Sequence, residues 1–525
     1  MSGSIAAAPG SLGITRIARS AHAARQPARC ALLACALLLL SGSLQAVDTT
    51  AKDLEWARTR EQARTARVDM AKGAAQDRVA RAGKAAAVVA ALLEKAPANG
   101  AGRDDRDLGD LIAGVRFLAA PAAAPLEAAL KALPEAADPA KAKAWRLLVE
   151  AKRADVLRPT ERLFKQALDG GVLTVARDCV DQVLVFWPDD RDLRRNLGQS
   201  EHAGRWYGPR DMALVSQGMV WDEKLGWVVE KDRSRYGKGD YFDLQEKEWT
   251  TLSEADTAHG VAAKPWIIQT EHLQIQGTAH LADLVDVANR LEEFYGQIFA
   301  AYCGFFVRPG AKQGADLKLL FGMLDHPRLV VNVAKDAAGY RASLPPGVSA
   351  GWSAGMFISS TRQSYFYTGY VSAIYHEFTH QILHIFTGRD QGPAWLVEGA
   401  AVYTQAPVFV DGHMRLGALD ENVHLQAFIK QQRAGKALTL PQVLALDGFN
   451  AWSGSATPAL NYPAAGSVVQ FAMEAEGRGY RADFIDFLRD SYVGQTGGHR
   501  LWEYLGLDRP AFDKQYQAWV ADFTK

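Results

Sequence analysis

The sequence predicts an α+β fold: a small mixed sheet with a long active-site helix and a helical C-terminal part, preceded by an α-helical region. Three observations carry that prediction. Trp266 to Ile275 alternates apolar and polar residues at the period of a half-buried strand. Tyr370 to Phe386 places Val371, Ile374, Phe378, Ile382, Ile385 and Phe386 at three- and four-residue spacings, the signature of an amphipathic helix. Val47 to about Ala144 is rich in alanine and charge, with proline and glycine only as punctuation. A chain of 525 residues is also too long for one compact core, so two or three domains are expected.

The elements follow in order. Residues 1–46 read as an export signal: Arg16, Arg19, Arg25 and Arg29, then the apolar stretch Ala31 to Leu40, then small residues ending at Ala46. That stretch is short for a membrane span, and no later stretch is long and apolar enough to be one. A periplasmic or secreted protein is expected. A lipid anchor on Cys35 is the alternative, although the apolar core runs on past it. Residues 47–144 are expected to be helical or partly disordered, the disorder reaching to about Arg81. In 145–215, Leu163 to Ala167, Val172 to Trp187 and Asp192 to Leu197 read as short consecutive helices, resembling a tetratricopeptide-type hairpin without a clean repeat. Residues 216–262 read as an irregular, aromatic-rich connector.

Residues 263–525 form the last domain. Its expected elements are the strand Trp266 to Ile275, a helix from Ala279 to Tyr302, and strands at Leu317 to Phe321 and Arg328 to Val333. A hairpin from Ala354–Ser359 and Ser364–Thr368 follows, then the Tyr370 helix. A further helix opens with Pro393 at its first position, a favoured start. Tyr462 to Met473, Asp483 to Leu488 and Phe512 to Phe523 complete the helical C-terminal part.

The chemistry lies in His376-Glu377-Phe378-Thr379-His380. Residues i and i+4 of a helix stand about 40° apart around the axis and about 6 Å along it, so two imidazoles reach one ion from one face. Glu377 can lean over the same site as a base. With 12 histidines in the chain, a chance match is expected on the order of 0.01 times. The alternative is a core helix with two satisfied histidines. Glu398 stands among Trp395, Leu396, Val397, Ala400, Ala401 and Val402, with no other charged residue from Gln391 to Val410. A carboxylate in such company is rarely buried without a partner. Gly399, Ala400 and Ala401 are small enough for another helix to approach closely. Two histidines and one carboxylate give the three protein ligands of a zinc ion that does chemistry. His384 lies about 12 Å along the axis from His376, too far to share the ion, and suits a polar core or supporting role.

These residues, with the run Trp395-Leu396-Val397-Glu398-Gly399-Ala400-Ala401, resemble the gluzincin zinc metallopeptidases, and more narrowly the bacterial peptidase MA-like proteins. Asn461-Tyr462-Pro463-Ala464-Ala465-Gly466 resembles the tyrosine-plus-small-residue helix that follows in that group. The resemblance covers roughly residues 265 to 525. It implies a thermolysin-like catalytic domain in which His376, His380 and Glu398 bind Zn2+ and Glu377 is the general base. A peptide or protein substrate would lie extended along the edge strand before the motif helix. That strand could equally be an ordinary sheet edge. Tyr462 is the candidate donor to the developing oxyanion, with a packing aromatic as the alternative.

Departures from the pattern are informative. The aspartate that orients a ligand histidine in thermolysin-like enzymes is replaced by Val402, so another acceptor must serve. Gly355-Met356-Phe357-Ile358 lacks the glutamate of the aminopeptidase motif. The third metzincin histidine would fall at Phe386.

Net charge is zero, from 59 basic and 59 acidic residues, and no nucleic-acid motif appears, which argues against nucleic-acid binding. Once the signal leaves, only Cys179 and Cys303 remain, read as two separate buried thiols in different domains. The competing functional reading is an envelope interaction protein whose N-terminal helical region binds a protein partner and whose zinc domain is vestigial or structural.

Overall fold

The computed structural model describes residues 45–524, apart from 136–139, 308–321, 323–325, 350–352, 370, 390–391, 411–412 and 454–457. The export signal lies outside the described residues but for its last two, and the strand expected at Leu317 to Phe321 lies wholly outside them. The described chain is mixed helix and sheet. Among the described residues no helix is long and apolar enough to cross a membrane.

The N-terminal region is helical throughout. Helix α1 (Gln45–Lys95) takes in the stretch expected to be partly disordered. Its second half buries Ala82, Ala85, Val89, Leu92 and Leu93 in an apolar core shared with α2 (Arg106–Leu118), α3 (Ala120–Lys131), α4 (Ala142–Asp169) and α5 (Leu173–Phe186). That core draws on both 47–144 and 145–215. The short helix expected at Leu163 to Ala167 is only the end of α4. Pro159 removes one hydrogen bond without ending the helix, because Val149 and Leu157 before it and Phe164 after it bury on one stripe. Cys179 and Cys303 are free, buried thiols, and both belong to this core.

The first half of α1 leaves that core and docks on the C-terminal helices. Arg67 pairs with Asp483 and, at 3.2 Å, with Asp486; Arg60 reaches Asp486 at 3.3 Å. The Trp56 ring stacks on His499 with centroids 3.7 Å apart. These contacts hold as helix a stretch whose composition alone suggests disorder.

The expected irregular connector instead holds two hairpins, a single helical turn at Arg233–Tyr236 between them, and a longer helix after them. Strands β1 (Ser200–His202) and β2 (Arg205–Tyr207) precede it, and β3 (Met219–Asp222) pairs with β4 (Gly226–Val229). Strand β5 (Asp240–Asp243) pairs with β6 (Glu248–Thr251), and α6 (Leu252–His259) follows. In both hairpin turns an aspartate side chain accepts the next backbone amides: Asp222 from Lys224 and Leu225, Asp243 from Gln245 and Glu246.

The main sheet has six strands, β7 (Gly260–Val261), β8 (Lys264–Gln269), β9 (Leu273–Gly277), β10 (Leu329–Ala334), β11 (Gly355–Ile358) and β12 (Gln363–Tyr367), in the order β11-β12-β10-β9-β8-β7. The segment expected as one strand, Trp266 to Ile275, is a hairpin: β7 (Gly260–Val261) borders β8 (Lys264–Gln269), which turns at Thr270–His272 into β9 (Leu273–Gly277). Helix α7 (Leu281–Ala301) then crosses to β10 (Leu329–Ala334), parallel to β9. Strand β11 (Gly355–Ile358) forms the expected hairpin with β12 (Gln363–Tyr367), which is parallel to β10, and β11 is the sheet edge. One sheet face buries Trp266, Ile268, Leu273, Ile275, Val331 and Val333 against α7 and against α8 (Val371–Thr387). The same core continues through α9 (Ala394–Thr404), α10 (Val423–Arg433), α11 (Pro458–Arg478), α12 (Arg481–Tyr492) and α13 (Arg509–Phe523). Pro393 is the residue before α9, at φ −60° and ψ 143°, so it caps the helix rather than beginning it.

Candidate metal centre

Helix α8 is fixed from both sides. Toward the sheet, buried Gln381 donates to the carbonyls of Val330 (2.9 Å) and Arg362 (3.0 Å) and accepts from Ser364 Oγ (2.8 Å). Toward α9, the hydroxyls of Thr379 and Thr404 meet at 2.7 Å. Helix α9 in turn lies hard against α11. A Cβ on Gly399 would stand 2.7 Å from the Ala465 carbonyl oxygen, and one on Gly466 would stand 2.4 Å from a Val402 methyl. The small residues around Glu398 thus admit a close helix crossing, as their size suggested.

This packing brings His376, His380 and Glu398 together. His376 Nε2 and His380 Nε2 are 3.2 Å apart, and Glu398 Oε2 lies 3.1 Å from the first and 3.4 Å from the second. Ligand atoms at about 2.0–2.2 Å around a tetrahedral zinc stand about 3.3–3.6 Å from one another. The three atoms therefore fit such an ion with little adjustment. Among the described residues they are the only group of three or more His, Cys, Asp or Glu side chains close enough to share one. The three side chains are 10–14% exposed, so a narrow side stays open to water.

Charge in the site is uneven. Burial would raise the Glu398 carboxyl, but the charge of His380 and hydrogen bonds from both histidines outweigh it and hold it far below the usual range. Glu377 moves the other way. Burial and the nearby Glu398 raise its carboxyl, against the histidines and the Phe357 N–H, which donates to Glu377 Oε2 at 2.8 Å. Two carboxyls influenced by the same two histidines thus face opposite pressures, one towards an anion and one towards holding a proton.

Tyr462 on α11 faces the same space. Its ring centroid is 5.9 Å from that of His376, and Trp452 packs edge-on at 4.9 Å. Burial, then Glu398, pushes its phenol well above the usual value, so it is a hydrogen donor. His384 stands away from the three-ligand group with its ring 5.3 Å from Phe357, as the axial distance predicted.

Several site residues escaped the sequence reading. Gln405 Oε1 lies 3.0 Å from His376 Nδ1, at the place where the sequence reading left an acceptor to be found. Asn422, the N-cap of α10, hydrogen-bonds Gln405. His424 stacks on Tyr462 at 5.3 Å, and burial with the neighbouring His376 lowers its pKa to about 4. Gln405 left one signal, a lone amide in the apolar run around Glu398. Compared with known proteins, the chain finds no counterpart: no family model, no curated protein and no solved structure matches it.

Proposed function

We propose that the protein is an exported zinc-dependent metallopeptidase of gluzincin type, with a thermolysin-like catalytic domain in the last half of the chain. The observation that carries this reading is the spacing of the three ligand atoms at the edges of a zinc tetrahedron, with Glu377 beside them. Donor chemistry agrees, since two imidazoles and a carboxylate are zinc's usual catalytic set. Bound there, zinc supplies positive charge that acidifies a water and polarises a scissile carbonyl.

The remaining work falls to the chain. Glu377 accepts the proton of the attacking water as the new carbon–oxygen bond forms, then delivers it to the amine as the carbon–nitrogen bond breaks. Its raised carboxyl suits both halves of that exchange. Tyr462 donates a hydrogen bond to the oxyanion, its ring held between His424 and Trp452. Strand β11 would seat the substrate: it is an edge strand, and its Phe357 N–H already points at Glu377, so its open rim faces the site.

The test pairs metal content with turnover. The wild-type chain should hold about one zinc and cleave an unstructured protein. Glu377→Gln should keep the zinc and lose about 10²–10⁴-fold in rate, because a near-isosteric amide cannot take a proton. A zinc-loaded wild type that cleaves nothing in a broad peptide library would transfer the assignment to an envelope interaction protein.

A further inference from the structure

The polar groups behind His376 form a chain whose direction is fixed at its far end. Gln405 and Asn422 are 4% and 0% exposed, so their amides must be satisfied by protein. Asn422 Nδ2 donates to the Val402 carbonyl at 2.6 Å, a contact only the nitrogen can make. Asn422 Oδ1 accepts the backbone amides of His424 at 3.1 Å and Leu425 at 3.2 Å, contacts only the oxygen can make. Backbone groups of α9 and α10 therefore dictate which way this amide faces. Its oxygen then meets Gln405 Nε2 at 3.3 Å, which turns Gln405 Oε1 towards His376 Nδ1 at 3.0 Å. An amide oxygen only accepts, so Nδ1 must carry the hydrogen. An imidazole whose only hydrogen lay on Nε2, towards Glu398, would oppose two acceptors across that 3.0 Å contact.

We propose that Asn422 and Gln405 are positioning residues that transmit the orientation of backbone groups on α9 and α10 to His376, fixing a hydrogen on Nδ1 so that Nε2, which faces Glu398 Oε2 at 3.1 Å, is the nitrogen left to bind an ion. The proposal deepens the metal-site reading and rests on it only for the use made of Nε2. The device is uncharged. A carboxylate would accept from Nδ1 in any orientation, whereas a carboxamide must be held the right way round, which explains why a second amide and a helix cap stand behind it.

The experiment reads the tautomer and the metal separately. Histidine-labelled, zinc-free full-length protein at about pH 8 is examined by ¹⁵N NMR, with His376 assigned by the signal missing from His376→Ala. Zinc affinity is measured by chelator competition. Wild type should show hydrogen on Nδ1. Gln405→Met should lose that preference and bind zinc about 10–100-fold more weakly. Gln405→Glu, which restores an acceptor, should recover both. A wild-type His376 with a bare Nδ1 overturns the proposal, as does a Gln405→Met protein with wild-type tautomer and affinity. A wild type with the Nδ1–H tautomer that binds no zinc supports the relay and overturns the metal site instead.

Discussion

On the zinc-site proposal, Gly399 would couple packing to metal binding, and Gly399→Ala should separate the two. The added Cβ would lie 2.7 Å from the Ala465 carbonyl oxygen and 2.7 Å from a Val469 methyl. An ordinary contact begins roughly 0.5–1 Å further out. The carbonyl belongs to the backbone of α11 and cannot rotate aside, so α9 must retreat by about 0.5 Å. Alanine favours a helix interior over glycine by about 1 kcal/mol, while overpacking costs about 1–3 kcal/mol. The net loss of stability should be on the order of 1 kcal/mol. Metal geometry forgives less: ligand distances hold to about ±0.2 Å, and Glu398 moves with its neighbour. Zinc affinity should therefore fall at least about tenfold, or about 1.4 kcal/mol, while the zinc-free protein melts only slightly earlier. Chelator competition and thermal unfolding of the zinc-free chain measure the two effects. A variant that melts early yet binds zinc like wild type would refute the coupling.

Two further outcomes are expected. Glu398→Gln should weaken zinc binding by more than the about 10–100-fold typical of losing an outer partner, whereas the exposed Glu421→Gln should leave it unchanged; equal affinity for wild type and Glu398→Gln would place the third ligand elsewhere. Asp211 has a buried carboxyl oxygen with no partner, and burial, with Glu292 and Glu271 nearby, raises its pKa from 3.8 to about 7. A carboxyl raised on folding is best tolerated protonated, so its penalty grows as pH climbs from about 4 through 7. Asp211→Asn should thus be more stable than wild type at about pH 8, on the order of 1 kcal/mol, with the difference gone near pH 4; parallel pH–stability curves would contradict this.

Residues that act through local periodicity were readable. His376 and His380 share a helical face whatever the rest of the chain does, and the apolar setting of Glu398 shows in its immediate neighbours. Gln405, Asn422 and His424 were hidden because distant elements bring them to the site, and amides at helix ends are commonplace. The β8–β9 turn was missed for a comparable reason. Thr270-Glu271-His272 has no glycine, proline or asparagine, and its backbone is held instead by Glu292 of α7, which accepts from Thr270 Oγ1 and, at 2.8 Å, from the His272 amide. The connector hairpins turn on Asp222 and Asp243, signals too common to stand out. Composition pointed to disorder before Arg81 because Arg60 and Arg67 of α1 find their carboxylates in the C-terminal helices, far along the chain.

That docking of α1 has a consequence for how the chain acquires its shape. Arg60 and Asp486 are 426 residues apart, and Lys72 meets Glu476 at 2.8 Å, beside the α11 that backs Glu398. Contacts spanning so much chain form late, because the intervening loop must close before they repay its entropy. During synthesis the first half of α1 has no surface to rest on until the final helices exist. A chain halted before α12 would carry both histidines and Glu398, yet would lack Asp483 and Asp486, the partners of Arg60 and Arg67 in its own first helix.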